Sequence, residues 1–232
     1  MSETLRKDNR KHEFMAAALE LFYRKGYENT TIKDIIDELG VSKGAFYHYF
    51  ESKEDIIITI ATEFTRRAGS IVKEIFERPD LTALEKMNLA FASLNEYKIR
   101  ESEWRTKFKG AIQNNENLKL QNMIINSMKN EIRGLYAELI ETGVKEGVFG
   151  DPVDSMDMAE FLLDIGFNLT GALHDLQNSY FDRENGISYE EFLERLDRKV
   201  YFYEMILQRM LQVKGGNIDL RGPVMKRVRL ME

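Results

Sequence analysis

Cysteine is absent from the 232 residues, so the chain can form no disulfide, no zinc site with thiolate ligands, no iron–sulfur cluster and no thiol nucleophile. Proline is scarce: Pro79, Pro152 and Pro223 are the only three. Each falls where a helical pattern ends or starts, as a residue without a backbone N–H must. Long apolar runs are missing too. The longest stretches without a charge or histidine, such as Met87 to Asn95, run nine residues, against the ~18 that a membrane helix needs. The opening residues Ser2, Glu3, Arg6, Lys7 and Asp8 contain no apolar stretch of the kind that marks a secretion signal, so the expected place is the cytoplasm and no membrane partner is expected. What is present, 43% hydrophobic and 31% charged residues, is the mixture of a globular protein.

Charge of one sign does not dominate. The formal net charge of -6 argues against a protein that coats nucleic acid, but its distribution is uneven. Residues 1 to 50 hold eight Lys/Arg and eight Asp/Glu, and the rest of the chain carries the whole excess of acid. Within that first fifth, Arg6, Lys7, Arg10 and Lys11 against Glu3 and Asp8 make a locally positive arm.

Apolar residues recur at helical spacing throughout, and alternating strand patterns are absent. The expectation is an all-α fold of about nine helices, near 9–25, 31–39, 42–49, 53–77, 81–97, 100–113, 117–145, 153–181 and 188–213. In the first, Phe14, Ala17, Ala18, Leu21 and Phe22 form one face, and Gly26 ends it. Thr31 suits the N-cap of the second, whose Ile32, Ile35, Ile36 and Leu39 share a face, with Asp34 in the first turn. Gly40 and Val41 break the chain, Ser42 caps a third helix, and Phe46 and Phe50 lie four apart on its inward side. Two helices joined by a tight glycine turn make a helix-turn-helix. With Phe46 and Phe50 inward, Lys43, Gly44, Tyr47 and His48 lie on the opposite face. Those residue types suit a DNA groove. Lys43 can donate to a guanine edge or a phosphate, Gly44 and Ala45 allow close approach, and Tyr47, His48, Tyr49 and Lys53 offer donors to phosphate oxygens.

Residues 10 to 56, RKHEFMAAALELFYRKGYENTTIKDIIDELGVSKGAFYHYFESKEDI, resemble the DNA-binding domain of the TetR family of bacterial transcriptional regulators. The likeness is carried by the LF-x-x-x-GY end of the first helix, the TT-x-x-x-I-x-x-x-LGVS block, KGAFYHYF, and the SKE that opens the fourth helix. The resemblance implies a helix-turn-helix from Thr31 to Phe50, and Ser42 at the start of its second helix is expected among the DNA-binding residues. It implies base reading by Lys43, Gly44 and Ala45, and backbone contacts by Thr31, Lys33, Tyr47, His48, Tyr49 and Lys53. The expected organisation is a DNA-binding domain over 1–53 (motif 31–50), an effector-binding and dimerisation domain over 54–213, and a basic, mobile tail over 214–232. Beyond residue 56 the likeness is architectural only, and the family pattern does not anticipate the tail.

Two heptad-like seams lie towards the C-terminus: Leu162, Ile165, Leu169, Ala172 and Leu176, then Leu193, Leu196, Val200, Tyr203, Leu207 and Met210. Such seams pack bundles. They are expected to form a homodimer interface, which the resemblance also implies, and which would present two recognition helices to a palindrome. Trp104, Phe108 and His174 are the expected contacts for an unidentified small apolar or amphipathic effector. The fourth helix is the natural lever between effector and DNA.

Other motifs lead nowhere. The segment Asp182 to Phe192 has Gly186 where a calcium loop needs it but phenylalanines where its acids belong. His12, His48 and His174 have no zinc spacing. Asp154, Asp157 and Glu160 suit the first turn of a helix better than a paired-carboxylate site. No cofactor, metal or catalytic activity is expected. The sequence reads as a ligand-responsive transcriptional regulator, most simply a repressor that binds double-stranded palindromic DNA as a homodimer. An activator or nucleoid-associated member of the same family, or an all-α small-molecule binder without DNA affinity, is the alternative.

Overall fold

The structure, a computed structural model, describes residues 3–113, 118–152, 154–182 and 186–229. The side chains of Arg6 and Lys7 in the basic arm and of Lys226, Arg227 and Arg229 in the tail lie outside the described residues. So do the expected helix starts at residues 117 and 153, and part of the calcium-loop-like segment. Among the described residues there are ten helices and no strand: α1 (Glu3–Lys25), α2 (Ile32–Leu39), α3 (Lys43–Tyr47), α4 (Lys53–Phe76), α5 (Ala83–Arg100), α6 (Ser102–Gln113), α7 (Leu118–Lys145), α8 (Ser155–Phe181), α9 (Tyr189–Met210) and α10 (Arg221–Arg229). The all-α expectation holds, with one helix more than the periodicity suggested.

The chain divides into two compact units. The first comprises the residues up to Arg67 together with Lys98–Glu131; the second comprises Ala68–Tyr97 and the residues from Ile132 on.

In the first unit, Phe14, Phe22, Ile35, Phe46, Phe50, Ile56 and Ile57 form a core whose members are almost wholly shielded from water. Phe108, Ala111, Leu120 and Ile124 belong to that same core. The helix-turn-helix therefore does not fold around residues 1–53 alone, because α6 and the first half of α7 close its core. Helix α6 lies against α1 so closely that a Cβ on Gly110 would stand 2.8 Å from the Tyr23 ring, so glycine is what permits the approach. Lys107 of α6 ties the same face by reaching Glu20 of α1 at 3.1 Å.

In the second unit, Met87, Tyr136, Phe149, Leu163, Phe192 and Leu211 build the core, and α8 packs on α9. Asp154 caps α8, accepting the N–H groups of Met156 and Asp157 at 2.8 and 2.9 Å, and Glu160 pairs with Arg133 at 2.8 Å. These acids serve the helix end and an ion pair, as a first helical turn favours.

Part of the expected dimer seam is this internal contact. Leu162, Leu176, Leu196, Val200 and Leu207 are buried in the core of their own unit, where they pack within the chain. Ile165, Leu169, Ala172, Leu193, Tyr203 and Met210 are half-buried. The exposed large apolar groups on these helices are instead Met156, Phe161 and Phe181 on α8 and Tyr201 and Phe202 on α9. A heptad seam says that a helix packs, and does not say whether the partner is in the same chain.

The expectation for the tail is also corrected. From Lys214 the chain folds back and forms α10, with Ile218, Leu220 and Val228 buried in the core of the second unit. Pro223 sits in the first turn of α10, where a missing N–H costs nothing.

Candidate nucleic-acid interface

The helix-turn-helix is built from local signals. The Thr31 hydroxyl accepts the Asp34 N–H at 3.1 Å, while the Asp34 carboxylate accepts the Thr31 N–H at 2.8 Å, a reciprocal capping box at the start of α2. Lys25 donates to the same carboxylate at 2.8 Å. Together these bonds hold Asp34 well below the usual carboxylate range, the Lys25 hydrogen bond contributing most. At the other end, Gly40 takes a left-handed conformation with φ 62°, and the Gly40 and Val41 N–H groups bond back to Asp37 and Ile36 at 3.2 and 3.0 Å. That turn aims the chain into α3, where the Ala45 N–H is shared between the carbonyl of Ser42, the N-cap, at 3.0 Å and the Ser42 hydroxyl at 3.3 Å.

Helix α3 is shorter than the expected 42–49. Its five residues are continued by turn bonds from His48, Tyr49 and Phe50 back to Gly44 and Phe46. Its inward anchors are Phe46 and Phe50, both within 1% of full burial. Phe14 meets Phe46 edge to face, with centroids 5.8 Å apart, and Phe46 lies 5.7 Å from Phe50. This aromatic wedge fixes the rotation of α3 and so decides what faces outward.

What faces outward is Lys43, Gly44, Tyr47 and His48, all exposed, with Tyr47 at 47%. The Lys43 ammonium stands 5.6 Å from the centre of the Tyr47 ring. Thr31, Lys33 and Ser42 are exposed as well, while Ala45 and Tyr49 are half-buried. The chemistry of this surface is a cation, two aromatic hydrogen-bonding groups and a glycine that leaves backbone accessible. It can donate to phosphate oxygens and to base edges.

Lys53 has partners within the protein that the sequence did not show. Its ammonium donates to the Tyr27 carbonyl at 2.8 Å and to that of Glu28 at 3.4 Å, and lies 4.3 Å from the centre of the Tyr27 ring. It braces the turn between α1 and α2 from the first residue of α4. Sequence reasoning missed this because its partners are 26 and 25 residues away. Tyr27 itself is 3% exposed, and burial pushes its hydroxyl pKa upward, with the nearby Glu54 carboxylate adding to the shift.

The expected effector contacts are divided. Trp104 lies flat between Phe64, at 4.2 Å and 2°, and Phe108, at 4.9 Å and 7°, all within the first unit. His174, half-buried on α8, belongs to the second unit.

The sequence model of the family described as bacterial regulatory proteins, tetR family, matches residues 14–60. The chain is 27% identical over 167 residues to the HTH-type transcriptional repressor KstR2 of Rhodococcus jostii, a match covering 70% of this chain and 78% of that protein. It is 26% identical over 141 residues to the fatty acid metabolism regulator protein of Bacillus subtilis, covering 59% of this chain and 71% of that one. The crystal structure of a TetR-family regulator from Syntrophomonas wolfei superposes with a TM-score of 0.64 at 23% identity, over 86% of this chain and 95% of that chain, which establishes the shared fold.

Proposed function

The chain belongs to the TetR family of bacterial transcriptional regulators, and from that premise we propose that it is a repressor which binds palindromic operator DNA as a homodimer and leaves it when a small effector binds. One observation carries the reading. The Phe14, Phe46 and Phe50 wedge turns Lys43, Gly44, Tyr47 and His48 to the same exposed side of α3. Lys43, Gly44 and Ala45 are the base-reading group, and Thr31, Lys33, Tyr47, His48 and Tyr49 are the phosphate group. Lys53 acts mainly by holding the α1–α2 turn in place. In the homodimer, the exposed Phe161 of α8 and Phe202 of α9 meet the second copy, since an exposed aromatic face is what burial in an interface relieves.

The effector in this reading is apolar or amphipathic and derived from fatty acid chemistry. The support is the likeness to a fatty acid metabolism regulator over 141 residues, well past the helix-turn-helix. It lowers operator affinity by its differential affinity for two forms of the dimer, and α6, which shares the core of the helix-turn-helix, moves with that domain. Helix α4 remains part of the lever.

Selection of bound sequences from a random duplex pool at two salt concentrations, with wild type beside Tyr47→Ala, tests the proposal. A palindromic motif enriched by the wild type and lost in the variant supports it. No enrichment at low salt overturns it in favour of an effector-binding protein without DNA affinity.

A further inference from the structure

Residues 216–219, just ahead of α10, run between α5 and α9 in the second unit, and the two helices bind them as a peptide ligand is bound. Gln208 of α9 donates through Nε2 to the Gly216 carbonyl at 3.2 Å and accepts the Ile218 N–H through Oε1 at 2.8 Å. Asn88 of α5 does the same one residue further on, donating to the Asn217 carbonyl and accepting the Asp219 N–H, both at 2.9 Å. In an extended chain the carbonyl of residue i and the N–H of residue i+2 point to one side, and the next such pair points to the other. The two amides therefore clamp opposite edges of the same segment. They stand where neighbouring strands would stand in a sheet.

The side chains follow the same period of two. Ile218 and Leu220 are 1% and 8% exposed, while Asn217 and Asp219 face water. At the far end one oxygen of Glu204 accepts the N–H groups of Leu220 and Arg221 at 2.9 and 3.1 Å. The Arg221 guanidinium grips both oxygens of Asp197, at 2.7 to 2.9 Å, and its central carbon lies 5.3 Å from the centre of the Tyr201 ring. Asn95 adds a bond to the Pro223 carbonyl at 3.2 Å. The residues from Lys214 to Asn217 that lead in are exposed, and Gly215 has φ 74°.

We propose that the α5–α9 groove is a peptide-binding site whose ligand is an extended segment with apolar side chains two residues apart followed by arginine. The chain's own Ile218-Asp219-Leu220-Arg221 fills it in cis as a detachable clasp. This goes beyond the DNA-binding reading and does not depend on it. Main-chain capture by side chains, two apolar sockets and one arginine clamp is the economy of peptide recognition, where backbone bonds give affinity and alternate pockets give selectivity. A helix packed into a core needs none of these amides. Because the contacts come from side chains and not from a continuous ladder, the segment can open without unfolding α9. A partner carrying the same pattern can then take its place, against the high effective concentration of the tethered segment.

Native-state hydrogen exchange on the full chain tests the first half. The Ile218, Asp219, Leu220 and Arg221 amides are expected to exchange through an opening that leaves the Val200 amide protected. The double variant Asn88→Ala, Gln208→Ala is expected to speed those four at least tenfold and Val200 less than twofold. Exchange of all five only together, in wild type and variant, would make the segment ordinary core and overturn the proposal. The second half uses a chain with a protease site inserted between Gly215 and Gly216. After cleavage the C-terminal fragment is expected to stay bound, and to be displaced by excess synthetic peptide of residues 216–229 but not by the same peptide with Ile218→Asp. A fragment that falls away on cleavage and does not rebind, that no peptide displaces, or that both peptides displace equally, would equally overturn it.

Discussion

Lys53 donates to the Tyr27 carbonyl at 2.8 Å and covers the Tyr27 ring at 4.3 Å, joining the first residue of α4 to the turn that follows α1. A lysine that the family likeness places on the DNA backbone thus also braces its own fold. Lys53→Ala is expected to lower folding stability by about 1 to 2 kcal/mol, from a charge-assisted bond and a cation–π contact. Lys33→Ala, at an exposed position, is expected to stay within ~0.5 kcal/mol. Denaturant midpoints separate the two. An unchanged midpoint for Lys53→Ala would return that residue to a purely phosphate-binding part.

The division between base and backbone contacts has its own signature. Lys43→Ala is expected to change which bases are tolerated, at ~1 to 3 kcal/mol per base contact, whereas Tyr47→Ala weakens all sequences alike. Binding to a panel of single-base operator variants measures both. A Lys43→Ala protein with the parental preference would move base reading elsewhere on the surface.

The aromatic wedge sets the attitude of α3. Phe46→Ala leaves a hole beside Phe14 and Phe50, and is expected to cost roughly 3 to 5 kcal/mol of stability. DNA affinity is expected to fall further than the unfolded fraction explains, because α3 loses the contact that fixes its rotation. Affinity per folded molecule, from calorimetry with circular dichroism, checks this.

Acid weakens the start of α2 in a defined direction. The carboxyl of Asp34 is held below its ordinary value of 3.8 by Lys25 and by Thr31. A group with a depressed folded pKa contributes stability that is fully present above its unfolded pKa and is lost as pH falls through the folded one. Wild type is therefore expected to lose stability progressively below about pH 4, and Asp34→Asn to have a shallower acid limb. Thermal midpoints across pH 2 to 7 for both proteins show whether the slopes differ.

Self-association is expected through exposed aromatics and not through the buried part of the seam. Phe202→Glu and Phe161→Glu should reduce the particle from twice 27.1 kDa to a single chain, with helical content unchanged. Val200→Glu should instead unfold the second unit, since Val200 is wholly buried. Light scattering at micromolar concentration decides. Aromatic-to-glutamate variants that keep the doubled mass would put the interface on another face.

The sequence by itself determined whatever depends on residues within a turn or two of one another. The Thr31 and Asp34 capping box, the left-handed Gly40, the Ser42 cap and the apolar stripe of Phe46 and Phe50 are set by local hydrogen bonds and helical period. They were legible for that reason, and they specify the helix-turn-helix and the outward set Lys43, Gly44, Tyr47 and His48. Tertiary structure alone decided which neighbour each stripe meets. A pattern of leucines records that a face is buried but not against what, so the seam of α8 and α9 proved partly internal, and α6 joined the core of the helix-turn-helix. It also decided the fate of the tail. Its polar partners Asn88 and Asn95 lie 128 to 131 residues away, and such bonds exist only once folding has brought the two segments side by side.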